Sequence, residues 1–121
     1  MTFNAVVLEH FRHPLNRGHL EGADVTEPGA NPLCGDRIVI ELRAEQGVIR
    51  EARFHADACA LCIASASLLT EHARGRAIGD IVEFDDTVIE DLLKSSPPPG
   101  RRACARLPLD TLRRAANRLL L

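Results

Sequence analysis

The sequence predicts an α/β chain of the α+β type, a β-hairpin set among helices, and three observations carry that prediction. Ile38, Ile40 and Leu42 alternate with Val39, Glu41 and Arg43, and after a turn at Glu45-Gln46-Gly47 the residues Ala52, Phe54 and Ala56 alternate with Glu51, Arg53 and His55. Alternation with period two marks a hairpin with one buried face. Next, a run of small and apolar residues from Cys59 to Leu69 places Ile63, Ala66 and Leu69 on one helical face, with Gly75 available to end the helix. Finally, the segment from about Leu109 to Leu120 puts Leu112, Ala115, Ala116 and Leu119 on one face, with Arg113, Arg114 and Arg118 toward its C-terminal half, where cations suit the helix dipole.

The remaining elements follow in chain order. Val6, Val7, Leu8 and Phe11 suit a short amphipathic helix over residues 3–13, stopped by Pro14. Residues 15–33 carry Asn, Gly and Pro at short intervals and read as an irregular arm leading to the first cysteine. A helix is expected over Ile78 to Lys94, with Asp80, Asp85 and Asp86 available as caps. Ser95-Ser96-Pro97-Pro98-Pro99-Gly100 breaks it and reads as a rigid connection. Residues 1–121 are expected to form a single domain, since a chain of this size buries roughly two-thirds of its unfolded surface.

Composition narrows the function. A formal net charge of -2 with interleaved signs offers no electrostatic footprint for nucleic acid or an acidic membrane, and the absence of Trp and Tyr leaves few stacking platforms for bases. No stretch approaches the ~20 apolar residues that span a bilayer, and the N-terminus lacks a basic region before an apolar run, so a cytoplasmic location is expected. In that reducing setting four cysteines read as metal ligands or reactive thiols before they read as disulfides.

Three of the cysteines fall at junctions: Cys34 before the hairpin, Cys59 at the strand-to-helix turn, and Cys104 after the Pro-Gly breaker and before the last helix. Thiolates are soft ligands for zinc, cluster iron or copper(I), and Asp36 can add an oxygen to a tetrahedral shell. Gly35 lets the backbone turn so that Cys34 and Asp36 face one centre. A helix N-terminus at Cys59 favours the thiolate. Spacing alone leaves open the alternative that these cysteines are small buried hydrophobes, because cysteines tens of residues apart make no zinc-finger pattern.

Three blocks add a resemblance that covers most of the chain. Residues 7–18, Val-Leu-Glu-His-Phe-Arg-His-Pro-Leu-Asn-Arg-Gly; residues 31–37, Asn-Pro-Leu-Cys-Gly-Asp-Arg; and residues 59–70, Cys-Ala-Leu-Cys-Ile-Ala-Ser-Ala-Ser-Leu-Leu-Thr, resemble the IscU and NifU-type scaffold family in that order. The resemblance implies a small antiparallel sheet packed against helices. It also implies a scaffold that receives sulfur from a cysteine desulfurase, builds an iron-sulfur cluster of the 2Fe-2S type, and passes it to acceptor apoproteins. Cys34, Cys59 and Cys104 match the family cysteines and Asp36 the family aspartate. In family members without a cluster, zinc often occupies this site. Such a protein is a carrier and not an enzyme in its own right.

The chain departs from its relatives in places. The IscU branch carries a His before the third cysteine, where Ala103 stands here, and Pro98-Pro99-Gly100-Arg101 echoes that branch's chaperone motif only loosely. The Asn-Pro-x-Cys-Gly-Asp-Arg block and the Ala-Ser-Ala-Ser run look more like the SufU branch, whose Cys3Asp zinc site accepts persulfide sulfur, but the SufU insertion between the second and third cysteines is missing. Cys62 departs from both branches and reads either as a packed thiol or as an auxiliary ligand or sulfur acceptor. Arg101 and Arg102 read as a solvated basic turn, with Arg102 an auxiliary candidate for polarising sulfur near Cys104. His10, His13, His19, His55 and His72 read as ordinary surface or core histidines. Ser65 and Ser67 read as positions of close helix packing, since no base stands beside them.

Overall fold

The computed structural model describes residues 3–120. Helix α1 (Ala5–Arg12) begins at Asn4, whose side chain accepts from the Val7 amide, and Asn4 Nδ2 also ties this end to the Leu93 carbonyl. Three strands follow, β1 (Val25–Asn31), β2 (Asp36–Glu45) and β3 (Val48–Asp57), in one antiparallel sheet of order β1-β2-β3. Then come α2 (Ala60–Ala73), the short α3 (Ile78–Ile81), α4 (Asp86–Leu93), a single 3-10 turn over Pro99–Arg101, and the long α5 (Arg102–Leu120). Helices α2 and α5 pack against the sheet, and α1 packs on α2. The expected α+β arrangement, a small antiparallel sheet covered by helices, is what forms.

The core is aliphatic with one large aromatic side chain at its centre. Ile38, Ile40 and Leu42 of β2 and Ile49, Ala52 and Phe54 of β3 meet Leu61, Leu69, Leu109 and Leu112 from the helices, and all are buried. The hairpin turn sits at Gln46 and Gly47, both with positive φ (53° and 77°), the geometry of the two-residue turns that suit the twist of antiparallel strands.

Three sequence expectations need correction. The arm over 15–33 is not irregular throughout, because Val25–Asn31 pairs along its length with β2. Pro28 hides this strand from propensity, yet a proline is tolerated on an edge strand, where its missing amide faces away from the ladder. Gly29 is there because α5 passes close by: a Cβ at this position would overlap Thr111 Oγ1. The helix expected over 78–94 is two helices, since Asp85 takes an extended backbone (φ −133°) and caps α4 with its side chain on the Thr87 amide. The last helix starts at Arg102 and not near Leu109, so Cys104 lies inside its first turn, with Pro108 one turn further on.

At the far end of α2 the chain reverses through Gly75 (φ +83°), whose amide bonds the Ile49 carbonyl. Nothing lies within 4 Å of a Cβ built there, so a side chain would meet strain only in the backbone. Gly75→Ala should therefore cost about 1–2 kcal/mol, read as a lower denaturation midpoint in urea with an unchanged m-value.

Candidate metal centre

Each candidate ligand owes its position to a different local device. Asn31 closes a tight turn between β1 and β2: its carbonyl accepts from the amides of Cys34 (3.3 Å) and Gly35 (2.9 Å), and its side-chain oxygen accepts from Leu33 (3.2 Å). Gly35 holds φ +77°, a left-handed conformation that glycine adopts without strain. Cys34 is thereby presented at the surface, beside Leu33, which is 96% exposed.

Asp36 is the first residue of β2 and is buried. Its Oδ1 accepts from the amide of Cys59 at 3.0 Å, and Cys59 is the N-cap of α2. A carboxylate at a helix N-terminus sits where the amide dipoles favour negative charge. Its other oxygen, Oδ2, is buried and has no hydrogen-bond partner among the described residues. A buried carboxylate oxygen without a partner is costly.

Cys104 reaches the same place from the first turn of α5, with its Sγ 4.0 Å from that of Cys34. Ligand atoms of Cys34, Asp36 and Cys104 all lie within 4.8 Å of one another. Sulfur atoms on a tetrahedral zinc with bonds of about 2.3 Å stand roughly 3.8 Å apart, so the observed separation is close to a loaded shell. Cys59 lies outside that set of three, although it acts electrostatically on Cys104. Burial first, then Cys59 and Cys34, push the Cys104 thiol up from 9.0 to about 12.

The auxiliary candidates separate clearly. Cys62 is fully buried among core residues, and burial, then the charges of Asp36 and the other cysteines, hold its thiol well above its ordinary value. It is packed as a small hydrophobe outside the converged set. Arg101 and Arg102 are exposed, and Arg102 borders a recess with Asp86, Pro97 and Arg106. Ser65 donates to the Ala105 carbonyl (2.8 Å) and so joins α2 to α5, while Ser67 accepts from the Leu15 amide and meets His10 Nδ1, each at 2.8 Å. Both serines are structural ties. His72 packs at a tilt against Phe84 with ring centroids 5.3 Å apart, and burial, aided by Arg76, lowers its pKa. Two other histidines, His19 and His55, approach a buried acid that the alternation pattern had assigned to the solvent face, Glu41.

Thiols and a carboxylate brought together from a turn, a strand start and a helix start make a donor group that could hold a soft metal ion, within an α+β domain. The NifU-like N terminal domain family matches residues 2–119, and the chain belongs to that family. An iron-sulfur cluster assembly scaffold protein of Archaeoglobus fulgidus, IscU 1, is 33% identical over 109 residues, covering 90% of this chain and 71% of that one. The zinc-dependent sulfurtransferase SufU of Bacillus subtilis is 31% identical over 132 positions, covering 88% and 89%. The fold is shared with a SUF-system assembly protein from Fervidobacterium islandicum, at a TM-score of 0.80 with 23% identity over 94% of this chain and 96% of the other. It is shared equally with the N-terminal NifU-like protein of Brucella abortus, at a TM-score of 0.80 with 21% identity over 97% and 93%. No helix among the described residues is long and apolar enough to cross a membrane.

Proposed function

We infer that this chain is an iron-sulfur cluster assembly scaffold, in which Cys34, Asp36, Cys59 and Cys104 hold the growing cluster, sulfur comes from a cysteine desulfurase, and acceptor apoproteins take the product. The observation that carries the reading is the convergence of ligand atoms from Cys34, Asp36 and Cys104 within 4.8 Å, at an aspartate with one buried oxygen, Oδ2, that has no hydrogen-bond partner among the described residues. A cation there supplies the missing partner, and thiolates suit iron in clusters or zinc. The scaffold proteins of Archaeoglobus fulgidus and of Thermotoga maritima, the latter 38% identical over 79% of this chain, support the assignment. Asp36 anchors the Cys59 amide, and the turn at Asn31 leaves Cys34 free to meet a partner.

That exposure also favours a second reading, a sulfur-accepting role resembling that of the Bacillus subtilis sulfurtransferase. The Cys34 thiolate would attack the outer sulfur of a persulfide on the desulfurase. The new bond makes a Cys34 persulfide, and the desulfurase cysteine leaves as a thiolate.

Anaerobic incubation with ferrous iron, cysteine and a desulfurase tests both. The scaffold reading expects visible cluster absorbance and its transfer to an apo-ferredoxin, and no chromophore would overturn it. Acceleration of the desulfurase by the zinc-loaded chain, abolished in Cys34→Ala, would establish the second. If neither appears and zinc removal unfolds the chain, the metal serves folding alone.

A further inference from the structure

Cys62 carries chemistry that its packing does not use. It is the third residue of α2, and Cys59 is the N-cap of the same helix, so the run Cys59-Ala60-Leu61-Cys62 sets two thiols at the N-cap and N3 positions. Side chains at these two positions face each other, as they do in a capping box. The Ile63 amide donates to the Cys59 carbonyl at 3.1 Å, so the helical ladder is already closed at Cys59. Three helical steps then separate the two Cα atoms by about 5 Å, inside the roughly 4.4–6.8 Å that a disulfide spans. A Cys-x-x-Cys run at a helix start is also the arrangement that dithiol redox pairs adopt.

The two thiols differ in access. Asp36 Oδ1 holds the backbone of Cys59 by its amide (3.0 Å), while the Cys59 thiol caps no amide of the helix and stays outside the converged set of Cys34, Asp36 and Cys104. Cys59 is half-buried, and Cys62 is fully buried. A reagent from solvent therefore reaches the first sulfur and not the second. The charges of Asp36, Cys59, Cys104 and Cys34 all act on the Cys62 thiol, so it lies against the donor group, and burial keeps it protonated. Such a thiol is inert toward reagents in solution and reacts only with a sulfur held beside it.

We propose that Cys59 and Cys62 form a reversible dithiol–disulfide pair whose oxidant is a low-molecular-weight disulfide. The Cys59 sulfur attacks the reagent, making a mixed disulfide and releasing one thiol. The Cys62 sulfur then attacks the Cys59 sulfur of that mixed disulfide, and the Cys59–Cys62 bond forms as the second thiol departs with the proton from Cys62. Two electrons pass from the cysteines to the reagent, which leaves as two thiols. Holding the second sulfur one turn from the first offsets its small thiolate fraction. Once closed, the pair removes Cys59 from the donors inferred above, and an ion held by Cys59 blocks the opening attack. The pairing itself needs no ion and is independent of what the cysteine centre carries.

Equilibration of the metal-free full chain with glutathione disulfide tests it, with free thiols then alkylated in denaturant and the chain digested with trypsin. Cleavage after Arg53 and Arg74 yields one peptide, residues 54–74, that contains Cys59 and Cys62 and no other cysteine. The expected product is that peptide two hydrogens lighter than its reduced form, unalkylated, and restored by dithiothreitol. C62A should stop at the mixed disulfide, with one glutathione on Cys59, while keeping a native circular dichroism spectrum. The map of the unsubstituted chain decides by itself. Alkylation of both thiols, a lasting glutathione adduct on residues 54–74, or a cross-link from that peptide to the one carrying Cys34 or Cys104 would each overturn the proposal.

Discussion

Cys104→Ser is expected to weaken Zn2+ binding by about a hundredfold or more, measured by competition with a chromophoric chelator. Structural zinc sites bind with apparent free energies of roughly 10–16 kcal/mol, so one ligand of a four-ligand shell contributes about 2.5–4 kcal/mol, and 1.4 kcal/mol is a factor of ten. Serine keeps the shape and removes the soft donor. The pH dependence separates lost ligation from a packing defect. Cys104 is held protonated up to about 12, chiefly by burial, so an ion must displace its proton anywhere in the neutral range. Zinc affinity should accordingly climb with pH, and the serine variant should show a slope smaller by one tenfold step per pH unit. For the metal-free fold the sign is opposite. A thiol raised from 9.0 to about 12 favours folding while it stays protonated, and that contribution fades as pH rises through this interval.

Gly29→Ala should destabilise the chain by about 1–3 kcal/mol, the usual range for forcing an extra methyl into a packed interface. The new Cβ overlaps Thr111 Oγ1 and crowds the guanidinium of Arg114 at 3.2 Å. Thr111 cannot simply swing away, because its hydroxyl donates to the Leu107 carbonyl at 2.8 Å. Helix α5 must then move off β1, carrying Cys104 with it, so metal affinity should fall along with the thermal midpoint. Thr111→Ala removes the obstructing oxygen. A double-mutant cycle should show the two changes strongly coupled, and additive effects would rule out this contact as the cause.

How far the sequence could be read depended on whether a residue's role is local. The hairpin was legible because alternation in Ile38, Ile40, Leu42 and Phe54 is a direct image of the pleat. Strand β1 was not, since Glu27, Pro28 and Gly29 cut short the strand signal of Val25 and Thr26 and are extended because β2 and α5 flank them. The start of α5 was hidden by prolines on both sides of Cys104, although Pro99 leads directly into the helix through a 3-10 turn. Asp85 was read as a possible cap but not as a break. For the candidate site, junction positions and ligand chemistry suggested the residues. The proximity of Cys34 to Cys104, seventy positions apart, came only through the family blocks. Glu41 was missed because alternation assigned it to solvent, and nothing local shows that a distant segment crosses above it.

Pro108 gives the third cysteine an unusual mounting. A helix residue normally has its carbonyl closed by the amide four positions on, and for Cys104 that position is the proline, which has no amide to offer. The opening turn of α5 is thus fastened to the rest of the helix by one rung fewer than an uninterrupted helix would provide. Downstream, Leu109, Leu112, Ala115 and Ala116 are fixed in the core. The missing rung lies outside this stretch that packs into the core, so weakening the tip of the helix leaves the fold that depends on its body in place.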